Sequence, residues 1–269
     1  MLRFDGVGVT DVGLVRDDNQ DSGFVGPYAA LVADGVGGAA AGEVASATAA
    51  YVVSEEVREP DERDPLKRLA AAIGRARERL RDGVDADLQR AGMATTLTAV
   101  ATDGIRVALA HVGDSRAYHF RGGRLSQLST DHTYVQRLVE TGQLDPDSVR
   151  HHPWRSVVLR SLHGGPMRPF EEPDVAELEV GVGDRLLLCS DGLTDLVRHE
   201  RIAEVLQLAD ARCAAARLVE DALTAGGGDN VTCVVLDVVD GPAVRGDGQL
   251  LGAVRDVANI VDAGVPTPH

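Results

Sequence analysis

The sequence predicts a mixed α+β fold whose strands are mainly antiparallel. Two glycine-containing turn signals, Asp103-Gly104 and Gly122-Gly123, each lie between alternating or apolar runs, which is typical of hairpins. Segments with helical spacing of apolar residues occur in pairs before and after this strand-rich middle. The chain lacks the regular alternation of strand and helix that a doubly wound parallel sheet requires.

The first elements can be assigned from local pattern. Residues 3–9 alternate weakly and predict an opening strand, and the apolar run that begins at residue 29 predicts a buried strand. A helix is expected over about 42–57, because its small residues suit close packing on a sheet. A second helix is expected where Asp64 can cap the first turn and Pro65 can occupy it.

Residues 131–170 interrupt the regular pattern after the two hairpins. A helix is expected near 134–140, ending at Gly142, and the rest is rich in His, Arg and Pro. Long irregular segments inside a compact domain are typically functional, so this one is predicted to be a mobile flap that shapes substrate access.

The remaining elements follow the flap. Residues 175–180 and 185–192 predict a pair of strands, two helices are expected over about 200–208 and 210–225, and a strand over 231–238. We expect one domain over residues 1–240 and a C-terminal tail over 241–269. The tail keeps helical spacing of apolar residues and predicts a short helix; these residues are Leu250, Val254, Val257 and Val261.

Composition excludes several classes of function. The formal net charge of −15 argues against a nucleic-acid partner. No apolar run is long enough to span a membrane and no signal peptide begins the chain, so we expect a cytoplasmic protein. Lys67 follows no glycine-rich loop, which excludes a P-loop. None of the three cysteines precedes an arginine by six positions, as a tyrosine phosphatase requires.

Four apolar strands begin or end at an aspartate, and these aspartates are the candidate functional residues. They are Asp34, Asp114, Asp191 and Asp229. Carboxylates that converge on one place repel one another and lose hydration, so they require cations between them. The chain is therefore predicted to surround a cluster of divalent metal ions.

Five blocks of sequence, taken in order, resemble the signature of the PP2C (PPM) family of metal-dependent serine/threonine protein phosphatases. The blocks are the stretch 16–21, Asp34-Gly35, Gly113-Asp114, Asp191-Gly192 and Gly228-Asp229-Asn230. The resemblance covers roughly residues 3–239. It implies a four-layer αββα sandwich, in which two mainly antiparallel sheets are flanked by helices, and a catalytic domain over residues 1–240.

The resemblance also implies a set of metal ligands. Asp34 is similar to the carboxylate that bridges two ions, and Gly35 to the donor of a backbone carbonyl to the first ion. Asp191 and Asp229 are similar to ligands of the second ion. Oxygen donors of this kind are those that Mg²⁺ and Mn²⁺ prefer.

Other residues resemble parts of the family site outside the two-ion core. Arg16 matches the arginine that binds the phosphate, and Asp21 and Gln20 match outer positions around the metal-bound water. Asp114 resembles the ligand of a third ion, and Asp191 or Asp195 is expected to share that ion with it.

The implied reaction is hydrolysis of phosphoserine or phosphothreonine by direct attack of a metal-bridging hydroxide. Many eukaryotic members carry histidine directly after Asp-Gly, whereas this chain has Val36, which points to the bacterial type. The donor of a proton to the leaving group stays open. A metal-bound water ranks first, ahead of His132 and the histidines within 151–163.

The expected partners are phosphorylated proteins, either Ser/Thr kinases or their substrates, and we expect a monomer.

Two other functions compete with this interpretation. The stretch 35–40 fits a variant of the dinucleotide-binding fingerprint between a strand and a helix. Asp34 argues against that function, because a carboxylate would stand where pyrophosphate binds. The second competitor is a binding-only regulator that keeps the fold without catalysis; the intact set of aspartates argues against it.

Overall fold

The structure is a computed structural model that describes residues 1–36, 41–60, 63–166 and 171–261. Two β-sheets pack face to face, with helices on both outer faces. The strands are β1 Leu2–Asp11, β2 Asp21–Val25, β3 Ala29–Val36, β4 Ala94–Thr95, β5 Leu97–Thr102, β6 Val107–Val112, β7 Arg116–Arg121, β8 Arg124–Gln127, β9 Leu162–His163, β10 Asp174–Leu178, β11 Arg185–Cys189, β12 Val231–Asp240 and β13 Gln249–Gly252. The helices are α1 Gly42–Val57, α2 Pro65–Ala86, α3 Tyr134–Glu140, α4 Asp191–Thr194, α5 His199–Val205 and α6 Ala211–Thr224.

Both sheets are antiparallel in every strand pair that the described residues form. The first sheet has the order β1-β12-β11-β7-β8. The second has the order β10-β6-β5-β3-β2-β13, and the short strand β4 joins β3 to β9 at its end. The dinucleotide alternative needs parallel strands at its glycine-rich turn, and these sheets do not provide them. Residues 37–40 of that fingerprint lie outside the described residues.

Alternation of side chains along the strands creates three apolar layers. On β3, Ala30 and Val32 face the other sheet, whereas Leu31 and its neighbours on the opposite face contact α1 and α2. On β12, Val234 lies between the sheets and Val235 packs beneath α5 and α6. Because successive strand residues point to opposite faces, strands covered on both faces are apolar throughout. The four-layer αββα sandwich expected from the resemblance is confirmed.

Most elements assigned from the sequence are present. The two hairpins join β5 to β6 and β7 to β8, and α1, α2 and α3 occupy the expected ranges. Asp64 caps α2, since its Oδ1 accepts a hydrogen bond from the Leu66 backbone N–H at 2.9 Å. One predicted pairing is wrong: β10 and β11 are not partners, because β10 pairs with β6 in the second sheet and β11 lies in the first.

The C-terminal tail differs in structure from the predicted helix. Residues 249–252 form strand β13, which pairs with β2, and two short 3₁₀ turns follow at 253–255 and 257–259. Leu251 is 4% exposed between the sheets, and Val254 and Val261 pack against the layer beneath α1. The division between residues 1–240 and 241–269 stays a prediction.

Among the described helices, none is both long and apolar enough to cross a bilayer.

We expect Leu251→Ala to lower the free energy of unfolding by about 2–4 kcal/mol, because it leaves a cavity between the sheets. The measurement is urea unfolding followed by circular dichroism. Val257→Ala is the matched control, since Val257 is 78% exposed and its loss should cost less than about 0.5 kcal/mol. Equal stabilities of the two variants would mean that the tail does not contribute to the core.

Candidate metal centre

A cavity of about 160 Å³ opens at one end of the sandwich. It lies where β3 and β6 of the second sheet end, where β11 of the first sheet ends and where β12 begins. We call it the acidic chamber. Its lining residues are Arg16, Gln20, Asp34, Gly35, Val36, Asp114, Ser156, Val158, Asp191, Asp229 and Asn230. The four aspartates predicted from the sequence therefore meet in one place.

The outer residues Asp21 and Asp195 lie next to the chamber without lining it. Asp195 lines a neighbouring cavity of about 210 Å³, which shares Asp114 and Asp191 with the chamber. Asp21 stands opposite Asp34 across the β2–β3 pair and is completely buried. The site predicted from sequence thus forms one continuous region.

The backbone at Asp34 is held in place by two threonines. Its N–H donates to Thr96 Oγ1 at 2.9 Å, and its carbonyl accepts from Thr95 Oγ1 at 2.8 Å. The next residue must be glycine, since a Cβ on Gly35 would lie about 2.5 Å from the backbone of Gly42 at the start of α1. The chain therefore presents a carboxylate and a close-packed backbone at this point.

Asp21 supports the chamber from behind. Its Oδ2 accepts a hydrogen bond from Ser190 Oγ at 2.7 Å, while its buried Oδ1 has no hydrogen-bond partner within the described part of the chain. Burial raises the pKa of Asp21 to about 7, although the nearby Thr232 and Ser190 side chains oppose the shift. An unpartnered buried oxygen of this kind fits a position that accepts from a metal-bound water.

Burial and neighbouring carboxylates raise the pKa values of Asp34, Asp114 and Asp191. Burial, followed by the charge of Asp21 and then that of Asp191, raises the pKa of Asp34 well above its usual range. Burial and the charge of Asp191 do the same to the pKa of Asp114. Burial and the charge of Asp195 raise the pKa of Asp191 to about 6. Ionising this cluster is costly unless positive charge enters it.

The donor set fits ions that retain water in their coordination shell. No three Asp, Glu, His or Cys side chains in the described ranges are arranged to hold one ion by themselves. Mg²⁺ typically binds through one or two carboxylates and keeps several waters, so such a triad is not required. The chamber offers carboxylates and the Gly35 backbone, which match this preference.

Arg16 supplies positive charge at the mouth of the chamber. Its Nη2 donates to Asp229 Oδ2 at 2.8 Å, and about half of its side chain is exposed. Hydrogen bonding to Asp229, followed by the charge of that residue, raises the pKa of Arg16. A guanidinium in this position can bind a phosphate that enters the chamber.

Asn230 fixes the loop that carries Arg16, a role that the sequence analysis did not assign. Its Oδ1 accepts from the Gln20 backbone N–H at 2.8 Å, and its Nδ2 donates to the carbonyls of Val12 and Asp18, both at 2.9 Å. The signal was present, because Asn230 directly follows the metal-ligand candidate Asp229.

The flap contributes two further residues that sequence reasoning missed. Ser156 and Val158 line the same chamber as Arg16. The flap contacts Asp195 twice: Arg150 donates to its backbone carbonyl at 2.9 Å, and Arg155 Nε donates to its carboxylate at 3.2 Å. Residues 167–170 of the predicted flap lie outside the described residues.

His132 is not placed to donate a proton in the chamber. Its Nδ1 accepts from the Gly113 backbone N–H at 3.1 Å, so Nε2 carries the proton toward Asp174 Oδ2, also at 3.1 Å. Burial lowers the pKa of His132 despite Asp174. Over the ranges that the structure describes, no histidine lines the chamber.

Comparison with known sequences identifies relatives of most of the chain. A family model described as Protein phosphatase 2C matches residues 6–225. The chain is 43% identical over 231 residues to the serine/threonine protein phosphatase PstP of Mycobacterium tuberculosis, covering 86% of this chain and 44% of that protein. It is 30% identical over 238 residues to the serine/threonine phosphatase stp of Listeria monocytogenes, covering 85% of this chain and 93% of that protein.

Solved structures agree with the sequence comparisons. The crystal structure of the M. tuberculosis phosphatase PstP/Ppp has a TM-score of 0.84 at 41% identity and covers 88% of this chain and all of that one. A crystal structure of the PstP catalytic domain in complex with two manganese ions has a TM-score of 0.82 at 40% identity, covering 89% of this chain and all of that one. With this fold, this constellation of residues and these relatives, the chain belongs to the Protein phosphatase 2C family.

Proposed function

We propose that this protein is a Mg²⁺- or Mn²⁺-dependent phosphatase that hydrolyses phosphoserine and phosphothreonine in proteins. The observation that carries the proposal is the convergence of Asp34, Asp114, Asp191 and Asp229 on one chamber with Arg16 at its mouth. The family relationship and the manganese in the related PstP structure support it.

Each metal-ligating residue then has a role. Asp34 would bridge two ions, with the Gly35 carbonyl on the first and Asp191 and Asp229 on the second. The bound ions would supply an activated hydroxide for direct attack on phosphorus and offset the charge of the carboxylates. Asp21, and Gln20 at the chamber wall, would orient water around them.

A third ion is proposed at the junction of the two cavities. Asp114 lines both of them, and Asp195 lines the second. The charges of Asp191 and Asp195 contribute to the raised pKa of Asp114, which favours a cation between these residues.

Arg16 would bind the phosphoryl group, and its contact with Asp229 holds the guanidinium at the chamber mouth. The proton for the leaving group would come from water, because the histidines described in the structure do not line the chamber. The flap would shape access through Ser156 and Val158.

We further propose that the protein acts in the cytoplasm as a monomer on phosphorylated kinases or their substrates.

Replacing a metal ligand should eliminate catalysis without unfolding the chain. For Asp34→Asn or Asp229→Asn, we expect turnover of an aryl phosphate with Mn²⁺ to fall by roughly a thousandfold or more, because each loses a charged oxygen donor. Asp5→Asn is the matched control, since Asp5 is exposed on β1 away from the chamber. The wild-type activity should disappear with EDTA. Turnover that persists in EDTA, or in either ligand variant, would contradict the site; a wild type that is inactive with Mn²⁺ would favour a binding-only regulator.

Arg16→Lys should lower kcat/KM about tenfold although the charge is kept, because an ammonium cannot bind two phosphate oxygens as a fork. The measurement is steady-state kinetics on an aryl phosphate. Arg124→Lys serves as the control, because Arg124 is exposed on the β7–β8 hairpin and is expected to be neutral. Full activity of Arg16→Lys would exclude the proposed clamp.

Stability should depend on pH and on metal together. Because the folded pKa values of Asp191 and Asp21 are raised to about 6 and about 7, the metal-free protein should be most stable with these groups protonated. Their contribution is present below about pH 4 and is lost as pH rises to about 7. We expect the midpoint of thermal unfolding in EDTA to fall across this window, and Mn²⁺ to reverse the fall.

Asp21→Asn should flatten the profile in EDTA, since it removes one of the shifted groups. Identical profiles with and without Mn²⁺ would show that cations do not relieve the repulsion.

A further inference from the structure

Exposed apolar residues lie next to chamber-lining residues in two segments of the chain. Trp154 and Val157 of the flap are 57% and 44% exposed, and Leu14 and Val15, which precede Arg16, are 68% and 69% exposed. Large apolar side chains exposed beside a functional pocket are typical of a binding surface.

Trp154 contacts two other rings, and more than half of its surface is exposed. Its ring meets Tyr134 edge to face with centroids 5.4 Å apart, and the His152 ring lies 5.9 Å away. The Trp154 backbone N–H also donates to His152 Nδ1 at 3.2 Å. A supported aromatic ring with an open face can bind a partner at little cost in side-chain entropy.

The segment that follows Trp154 is tied to the body of the flap. The Tyr134 N–H donates to the Val157 carbonyl at 2.8 Å, the Leu159 N–H donates to the His132 carbonyl at 2.7 Å, and Val158 bridges to residue 133. These bonds fix the position of the Trp154 turn relative to Val158, which lines the chamber.

The apolar residues adjoin the lining of one chamber in the sequence. Ser156, Val158 and Arg16 all line it. Trp154 and Val157 lie within two residues of Ser156, and Leu14 and Val15 directly precede Arg16. A polypeptide whose phosphorylated side chain enters the chamber therefore passes beside both segments.

The surface around the chamber favours substrates with an apolar residue beside the phosphorylated one over substrates with an acidic residue there. The two flap arginines nearest to Trp154 in the sequence contact Asp195: Arg150 donates to its backbone carbonyl and Arg155 to its carboxylate. Their charge is thus partly satisfied within the protein, whereas Trp154 is 57% exposed.

We propose that Trp154, Val157, Leu14 and Val15 form a docking surface for the substrate polypeptide, and that it selects proteins with a large apolar side chain adjacent to the phosphorylated residue. This inference rests on the proposed phosphatase function and specifies the class of substrate. Trp154 acts here as a specificity residue and takes no part in the chemical step.

The test compares short synthetic peptides that carry one phosphothreonine. One has leucine on both sides of the phosphothreonine, a second has serine there and a third has glutamate. For the Mn²⁺-loaded wild type we expect kcat/KM to be about tenfold higher for the leucine peptide, mainly through KM. Trp154→Ala should remove this preference, and Trp154→Phe should restore most of it because an aromatic face returns.

Controls separate docking from folding and from catalysis. Val257→Ala removes an exposed apolar side chain on the tail and should keep the wild-type preference. Val15→Ser should also reduce the preference, since Val15 belongs to the segment that carries Arg16. Trp154 is the only tryptophan, so its fluorescence should change on mixing with the leucine peptide and return as the peptide is hydrolysed.

The outcomes distinguish this inference from the proposed function. Loss of the preference in Trp154→Ala, with thermal unfolding unchanged, supports the docking surface. An equal preference in wild type and Trp154→Ala, or a wild-type preference for glutamate or serine neighbours, would overturn it while leaving the phosphatase assignment intact. A wild type that hydrolyses none of the peptides and no aryl phosphate would overturn both.

Discussion

Repulsion among carboxylates is the constraint on which the site depends. Asp34, Asp114 and Asp191 meet at one end of the sandwich, and burial raises the pKa of each. The charge of Asp191 further raises the pKa values of Asp34 and Asp114. A protein that binds no cations could remove this repulsion by carrying neutral residues at these positions. Their concentration in a small chamber is therefore best explained by ions that bind between them.

The sandwich holds these groups together in spite of their repulsion. Each aspartate is located at or beside the end of a strand whose apolar residues are buried on both faces. Buried hydrogen bonds extend this rigidity into the chamber: Thr95 and Thr96 hold the Asp34 backbone, and Ser190 holds Asp21. The apolar layers and these hydrogen bonds thus fix the positions of the acids, and the flap adds Ser156 and Val158 to the lining of the chamber.

Much of the fold could be predicted because its signals are local. The Asp-Gly and Gly-Gly turns determine hairpins, and Asp64 with Pro65 marks the start of α2. The partner of β10 could not be predicted, because strand pairing across a long connection leaves no local pattern. The tail was assigned as helix because Leu250 and Val254 are four residues apart, a spacing that a short strand followed by a 3₁₀ turn also produces.

The residues of the site also divide into those that the sequence predicts and those that only the folded structure shows. Aspartates that follow apolar strands are visible in the sequence, whereas the role of Asn230 depends on three hydrogen bonds to a loop more than two hundred residues away. Ser156 and Val158 enter the chamber only through the folding of the flap.

The most direct measurement of the central claim, that cations bind between these carboxylates, is the number of Mn²⁺ ions bound per chain at neutral pH, obtained by equilibrium dialysis and elemental analysis. At least two bound ions are expected, and a chain that retains none at millimolar free Mn²⁺ would contradict it.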